Sequence, residues 1–444
     1  MDTPLQAIEL LIEARWIIPV EPAGTILENH AIAIDGGKIV AVQPQGEERR
    51  RYVAAETRRL PQHILIPGLV NLHTHAAMTL LRGLADDLPL MTWLREHIWP
   101  AEAKFVSPQF VHDGTRLACA EMLLGGTTCF NDMYFFPKAT AEAALEAGIR
   151  AAIGLITIDF PTAFATDADD YLTKGLAVRD GLRNEALLSF CLAPHAPYTV
   201  SDKNFEKVLT LAEQCNLPIH LHLHETQQEI REGKAQTGIR PLERLRRLGL
   251  LSPGLIAAHA IHLESDELNL LAQHGCSVAH CPSSNLKLAS GIAPVAAMTS
   301  QGINVGLGTD GAASNNRLDL FEEMRLAALL AKVQSGEADA INAHQALHMA
   351  TLAGARALGL DDRIGSLVPG KEADLCAIDS EKIGLSPCYD PASHVVYAAG
   401  RADVSDVWVA GKQRVKDGRL REKDEFELIS LARLWQNQVC PRDA

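Results

Sequence analysis

The chain has 444 residues, 47% of them hydrophobic, so it can bury a large core and is long enough for more than one domain. Its formal net charge of −14, with no Lys/Arg-rich block, excludes the positive footprint that a nucleic-acid backbone requires. Nine cysteines, an odd count with no Cys-x-x-Cys, point to reduced thiols in a cytoplasm and remove the Cys-rich zinc sites.

The N-terminal run Ile8–Val20 carries acidic residues and no basic flank, so neither a signal peptide nor a membrane span is expected. Residues 1 to about 65 form short strand-like segments. Among them, Ala31–Ile34 and Ile39–Val42 flank Gly36-Gly37 as a hairpin. From about 63 the pattern becomes strand, loop, helix, repeated. Apolar segments recur at 63–73, 126–133, 150–159, 187–195, 218–224, 254–259, 276–281 and 304–310, separated by helix-like stretches. Eight strands alternating with helices predict parallel pairing and a (β/α)8 barrel. The rival, an open doubly wound sheet, wants a Gly-rich phosphate loop after its first strand, where this chain has His73-Thr74-His75. After about 360 the β character returns, and residues 424–436 look helical. The expected division is therefore 1–64 and 365–444 as two halves of one small β-sandwich domain, around a barrel at 65–364.

In such a barrel the C-terminal strand ends carry the chemistry. Here they carry His73 and His75, then His195, then His220, His222 and His224, then His259, His280 and Asp310. Buried histidine and aspartate cost free energy unless they are paired or bound to metal. Residues 73 and 75 share a strand face, so two imidazoles can reach one cation at about 2.0–2.1 Å. A lone strand-end histidine is more often a satisfied structural group, and for His280 that or a minor contact is the expectation. Alternation leaves open which of His220, His222 and His224 joins the cation. Asp310 has a rival role as a helix N-cap. Three His and one Asp suit Zn²⁺, with Fe²⁺, Mn²⁺ or Ni²⁺ also compatible, and one divalent ion per subunit is expected because no strand-end lysine offers a bridge to a second.

Pro67–His75, His222-Leu223-His224-Glu225, Trp99-Pro100-Ala101-Glu102, Pro194–Tyr198, His280–Leu288 and Gly308–Asn316 resemble the amidohydrolase superfamily, and within it the 5′-methylthioadenosine/S-adenosylhomocysteine deaminases. The resemblance implies His73, His75, His222 and Asp310 as metal ligands. It implies that Glu102 holds the ribose hydroxyls and His195 contacts the nucleoside. It places Glu225 at purine N1 and His259 beside the attacked carbon, with Asp310 taking the proton of the water. Some relatives carry arginines after the third strand that could meet the S-adenosylhomocysteine carboxylate. Here residues 160–170 hold no arginine and three aspartates, which leaves Arg82 or a partner subunit to supply a counter-charge. Methylthioadenosine is therefore the expected substrate, ahead of S-adenosylhomocysteine and adenosine. Residues 78–105 are expected to pack as an apolar lid. Other heterocycle hydrolases, acting on guanine, a pterin or a triazine, share the frame, and a non-catalytic barrel is the remaining alternative. A cytoplasmic homo-oligomer, dimer or tetramer, without nucleic-acid or membrane partners is expected.

Overall fold

The computed structural model describes residues 5–440. Eight parallel strands, Leu69–Thr74, Thr127–Tyr134, Arg150–Thr157, Leu188–Pro194, Ile219–Leu223, Leu255–His259, Ser277–His280 and Asn304–Leu307, pair in chain order with helices between them. This is the (β/α)8 barrel that the alternation predicts. The second and third strands are buried at every residue, as parallel strands covered on both faces require. Closure between the last and first strands is made at their C-terminal ends. Asn71 Oδ1 accepts from the Thr309 amide (3.0 Å), its Nδ2 donates to Thr309 Oγ1 (2.8 Å), and the His73 carbonyl accepts from the Asp310 amide (2.9 Å). The seam of the barrel thus runs through two candidate ligands.

Both chain ends build one eight-stranded sheet with its own buried core, which includes Ile12, Ile34, Leu65, Leu375 and Trp408. Its halves join where Leu375–Asp379 runs antiparallel to Tyr52–Pro67, with Ala377 opposite Leu65. The expected hairpin is present as Leu27–Asp35 and Lys38–Pro44. Gly37 at its turn has φ +74°, and a Cβ there would sit 2.7 Å from the Ala410 carbonyl oxygen, so glycine is required twice over.

The apolar run at 63–73, expected as one strand, is two. The strand Tyr52–Pro67 runs through position 64 and stays in the terminal sheet, and the chain crosses at Gly68 to begin the barrel at Leu69. A Cβ on Gly68 would lie 2.1 Å from Thr128 Oγ1, so the crossing fits only glycine. Arg150, buried at the start of the third barrel strand, donates from Nε to Asp374 (2.7 Å) and ties the barrel to the terminal sheet. All nine cysteines are free, and among the described residues no helix is long and apolar enough to cross a membrane.

Candidate active site

The C-terminal strand ends open into a cavity of about 500 Å³. His75, His195, His222, Glu225, His259 and Asp310 line it from the barrel, and Glu102 from the segment after the first strand. His73 lies at the floor, fully buried.

His73 Nε2 and His75 Nε2 approach Asp310 Oδ1 at 3.3 and 3.2 Å, and His222 Nε2 is 3.3 Å from His75 Nε2. The donor atoms of His73, His75 and Asp310 form one cluster within 4.8 Å, and those of His73, His222 and His259 form another. The imidazoles are held from behind. His75 Nδ1–H donates to the Met133 carbonyl (2.6 Å), and His222 Nδ1–H donates to the His195 carbonyl (2.8 Å). His73 Nδ1 lies 2.9 Å from His220 Nε2. Engagement of Nδ1 leaves Nε2 with its lone pair toward the centre, the arrangement a metal-ligating histidine needs. His73 Nε2 is buried and has no hydrogen-bond partner. The Asp310 carboxylate is fixed by Ser284 Oγ and Ser314 Oγ, each donating to Oδ2 at 2.7 Å, which turns Oδ1 to the histidines. Burial alone would raise the Asp310 carboxyl, but the imidazoles of His73 and His75 hold it well below the usual range. This donor set fits a divalent metal ion.

The three histidines that alternation put on one face are separated by depth and by backbone. His222 reaches the cluster, and His220 sits below it against His73 and Asn131. His224 follows the strand and points away, accepting from the Leu242 amide (3.2 Å). His280 is buried with neither ring nitrogen bonded.

Three strand ends use left-handed backbone at non-glycine residues: His224 (φ +53°), His259 (φ +70°) and Asp310 (φ +61°). Such residues are sparsely populated and cluster at functional sites. The turn at His224 sends Glu225 into the cavity although its strand parity is opposite to that of His222. Glu229 braces that turn. Its Oε1 accepts from the His224 amide (3.0 Å) and its Oε2 from the Glu225 amide (2.8 Å). Burial raises the Glu225 carboxyl above its ordinary value, and its Oε2 lies 4.0 Å from His259 Nε2. His259 Nδ1–H donates to Asn285 Oδ1 (2.8 Å), so Nε2 faces the cavity. Burial pushes His195 down to about 3, so it is neutral, and its Nδ1 is 3.0 Å from Thr199 Oγ1. Asn285, Glu229, Ser284, Ser314 and Tyr134 are absent from the site read from the sequence, and His220 stands there only as an alternative ligand. Their role is to hold other residues, and no spacing signals that. Asn285 and Ser284 do fall inside the His280–Leu288 motif.

The roof is apolar. The segment after the first strand forms a 3-10 turn (Ala76–Leu81), a short helix (Leu90–Trp93), a π-turn (Leu94–Ile98) and a helix (Trp99–Phe105). It presents Leu90, Trp93, Ile98 and Trp99 to the cavity, facing Ile156, Phe160 and Ala163 across it. Asp86 clasps it to the barrel, accepting from Lys287 Nζ (2.7 Å) and Asn316 Nδ2 (3.0 Å). Arg82 does not line the cavity. Its guanidinium is committed to Glu121 and the Asn316 carbonyl. Nor do the three aspartates of residues 160–170 line it: Asp167 caps the helix Ala168–Leu182, Asp169 pairs with Lys207 and Asp170 with Lys174. No lysine or arginine lines the cavity among the described residues.

The model of the amidohydrolase family matches residues 64–414. A 5-methylthioadenosine/S-adenosylhomocysteine deaminase of Teredinibacter turnerae is 47% identical over 98% of this chain and 99% of its own. One of Saccharophagus degradans is 47% identical over 97% of each. Among solved structures, an adenosine deaminase from Xanthomonas campestris with bound zinc superposes with a TM-score of 0.97 at 50% identity, covering 98% of this chain and 99% of that one. The atrazine chlorohydrolase of Arthrobacter aurescens with zinc reaches 0.89 at 25% identity over 96% of this chain and 99% of its own. The barrel, the seam through His73 and Asp310, and a family match spanning the barrel and part of the terminal sheet lead to one assignment: this chain belongs to the amidohydrolase family.

Proposed function

We propose that the chain is a metal-dependent deaminase of adenosine-type nucleosides, converting 5′-methylthioadenosine to 5′-methylthioinosine and ammonia in preference to S-adenosylhomocysteine or adenosine. The observation that carries this reading is one cavity that joins a His/Asp donor cluster and a buried Glu225, its carboxyl raised by burial, to a second carboxylate, Glu102, under an apolar roof without a cation. His73, His75, His222 and Asp310 would hold one ion per subunit, with zinc the ion this set suits. When bound, such an ion lowers the pKa of a water toward about 7.

The residues of the chain do the rest. Asp310 takes the proton of the attacking water. His259, held by Asn285, directs that water at C6 from Nε2 and faces the charge that develops there. Glu225, whose carboxyl burial raises above its ordinary value, delivers a proton to N1 as the new C6–O bond forms, which removes the ring's resistance to addition. Return of a proton to the exocyclic nitrogen lets the C6–N bond break, and ammonia leaves. His195 is neutral and contacts the nucleoside, and Glu102 accepts from the ribose hydroxyls.

The 5′ substituent then lies against the roof. A thioether suits Trp93, Ile98, Phe160 and Ala163, whereas an amino-acid tail would bring a carboxylate to a wall with no counter-charge. The relatives bear names that include both substrates, so the preference is tested directly. Ammonia release and kcat/KM measured on methylthioadenosine, S-adenosylhomocysteine and adenosine should be highest on methylthioadenosine, with the other two lower. A clear preference for S-adenosylhomocysteine would defeat the proposed ranking, and no release from any of the three would defeat the activity.

A further inference from the structure

Where the roof faces the cavity, a polar pair joins it to the barrel. Tyr134, the last residue of the second barrel strand, donates its hydroxyl to Glu102 Oε1 at 2.7 Å. Tyr134 is 3% exposed, and this is the only hydrogen bond of its hydroxyl among the described residues. Glu102 comes from the other side, on the short helix Trp99–Phe105 of the roof, and its Oε2 has no hydrogen-bond partner among the described residues. The pair therefore joins a residue fixed by a barrel strand to a carboxylate carried on the roof. It spends one oxygen on the barrel and leaves the other toward the cavity.

We infer that Tyr134 is a positioning residue for nucleoside recognition: its hydroxyl anchors Glu102 so that the free oxygen meets the vicinal hydroxyls of the ribose. This rests on the reading of Glu102 given above. Three features support it. A carboxylate on a seven-residue helix has no other fixed partner here. Tyr134 stands next to the metal-side histidines, its ring centroid 6.4 Å from that of His75, so it sets the distance from the sugar to the reacting centre. Burial beside Glu102 keeps the phenol protonated, so it remains a donor, and the bond it gives favours the ionised carboxylate that accepts hydroxyls best.

Tyr134→Phe keeps the packing ring and removes the donor. It is compared with wild type and with Glu102→Gln on two substrates that differ only in the hydroxyls, adenosine and 2′,3′-dideoxyadenosine. Loss of a hydrogen bond to a charged group predicts a fall of about tenfold in kcat/KM on adenosine, mostly through KM. On the dideoxynucleoside the change stays within about twofold, since there is no diol to hold. Binding of inosine and 2′,3′-dideoxyinosine to the metal-loaded protein, followed by calorimetry, should show the same contrast without turnover. Equal losses on both nucleosides in Tyr134→Phe, with discrimination retained in wild type and lost in Glu102→Gln, would overturn the role of Tyr134 while leaving Glu102 in place. If Glu102→Gln also fails to discriminate against the dideoxynucleoside any less than wild type does, the reading of Glu102 falls and this inference falls with it.

Discussion

The floor and the roof of the cavity hold their residues by different means. At the floor each candidate ligand is fixed from behind: His73 by His220, His75 by the Met133 carbonyl, His222 by the His195 carbonyl, Asp310 by two serine hydroxyls. The backbone itself is bent to aim Glu225, His259 and Asp310. At the roof, cavity-facing side chains such as Trp93, Ile98 and Trp99 make non-directional contacts, and the directional bonds, such as the Tyr134–Glu102 pair, the clasp at Asp86 and Arg82 on Glu121, are few. Directional bonds hold a group to one position, which chemistry on a single ring carbon needs. Apolar packing is tolerant in shape but selective against charge, which suits a choice among 5′ substituents.

If that division is right, damage at the floor should remove turnover and damage at the roof should alter affinity. The largest effect is expected from Glu225→Gln. The side chain keeps its shape but cannot cycle a proton, so kcat should fall by about 10³ with KM and bound metal little changed. Metal analysis beside steady-state kinetics checks this, and retention of more than a tenth of kcat would move the proton transfer to another residue. An intermediate effect is expected at Glu102. Burial raises it to about 7, against the lowering effect of the Tyr134 hydroxyl, which faces it with His75 beyond. Its ionised form, the better acceptor, is present above that pKa and lost as pH falls through it. KM for adenosine should rise about tenfold from about pH 8 to 6 in wild type and stay flat in Glu102→Gln. A limb that persists in the variant belongs to another group. The smallest effect is expected at the clasp. Asp86 is partly exposed, and such ion pairs contribute about 0.2–1 kcal/mol, so Asp86→Ala should raise KM by no more than about fivefold and leave kcat unchanged. A fall in kcat would show that the clasp also orders the floor.

Sequence reasoning went furthest where strand periodicity and barrel geometry act together. It reached the barrel, the pairing of both chain ends, and the strand ends at 73, 75, 222, 259 and 310, because polar residues that end apolar strands have one rim to occupy. The position of Glu225 in the cavity was implied only by family likeness. The device that puts it there, left-handed backbone at His224 clamped by Glu229, was not visible. The choice among His220, His222 and His224 came from family likeness, since period two puts all three on one face.

What the linear chain determined by itself is therefore the set of strands, the sheet each face serves, and the residue types available at the rim. These follow from local rules: side-chain alternation, apolar runs and glycine at the turns. What only the tertiary structure decided is depth and second partners. His220 lies one layer below His222. Gly68 splits one apolar run between two sheets because Thr128 fills the space a Cβ would need. Arg82 and the aspartates of residues 160–170 are drawn away from the cavity by Glu121, Lys207 and Lys174. The His73–His75 strand end carries both kinds of information. Its two imidazoles were readable as a ligand pair from their spacing, whereas the seam to Thr309 and Asp310 that completes their site joins residues about 235 positions apart, and no local pattern can encode that contact.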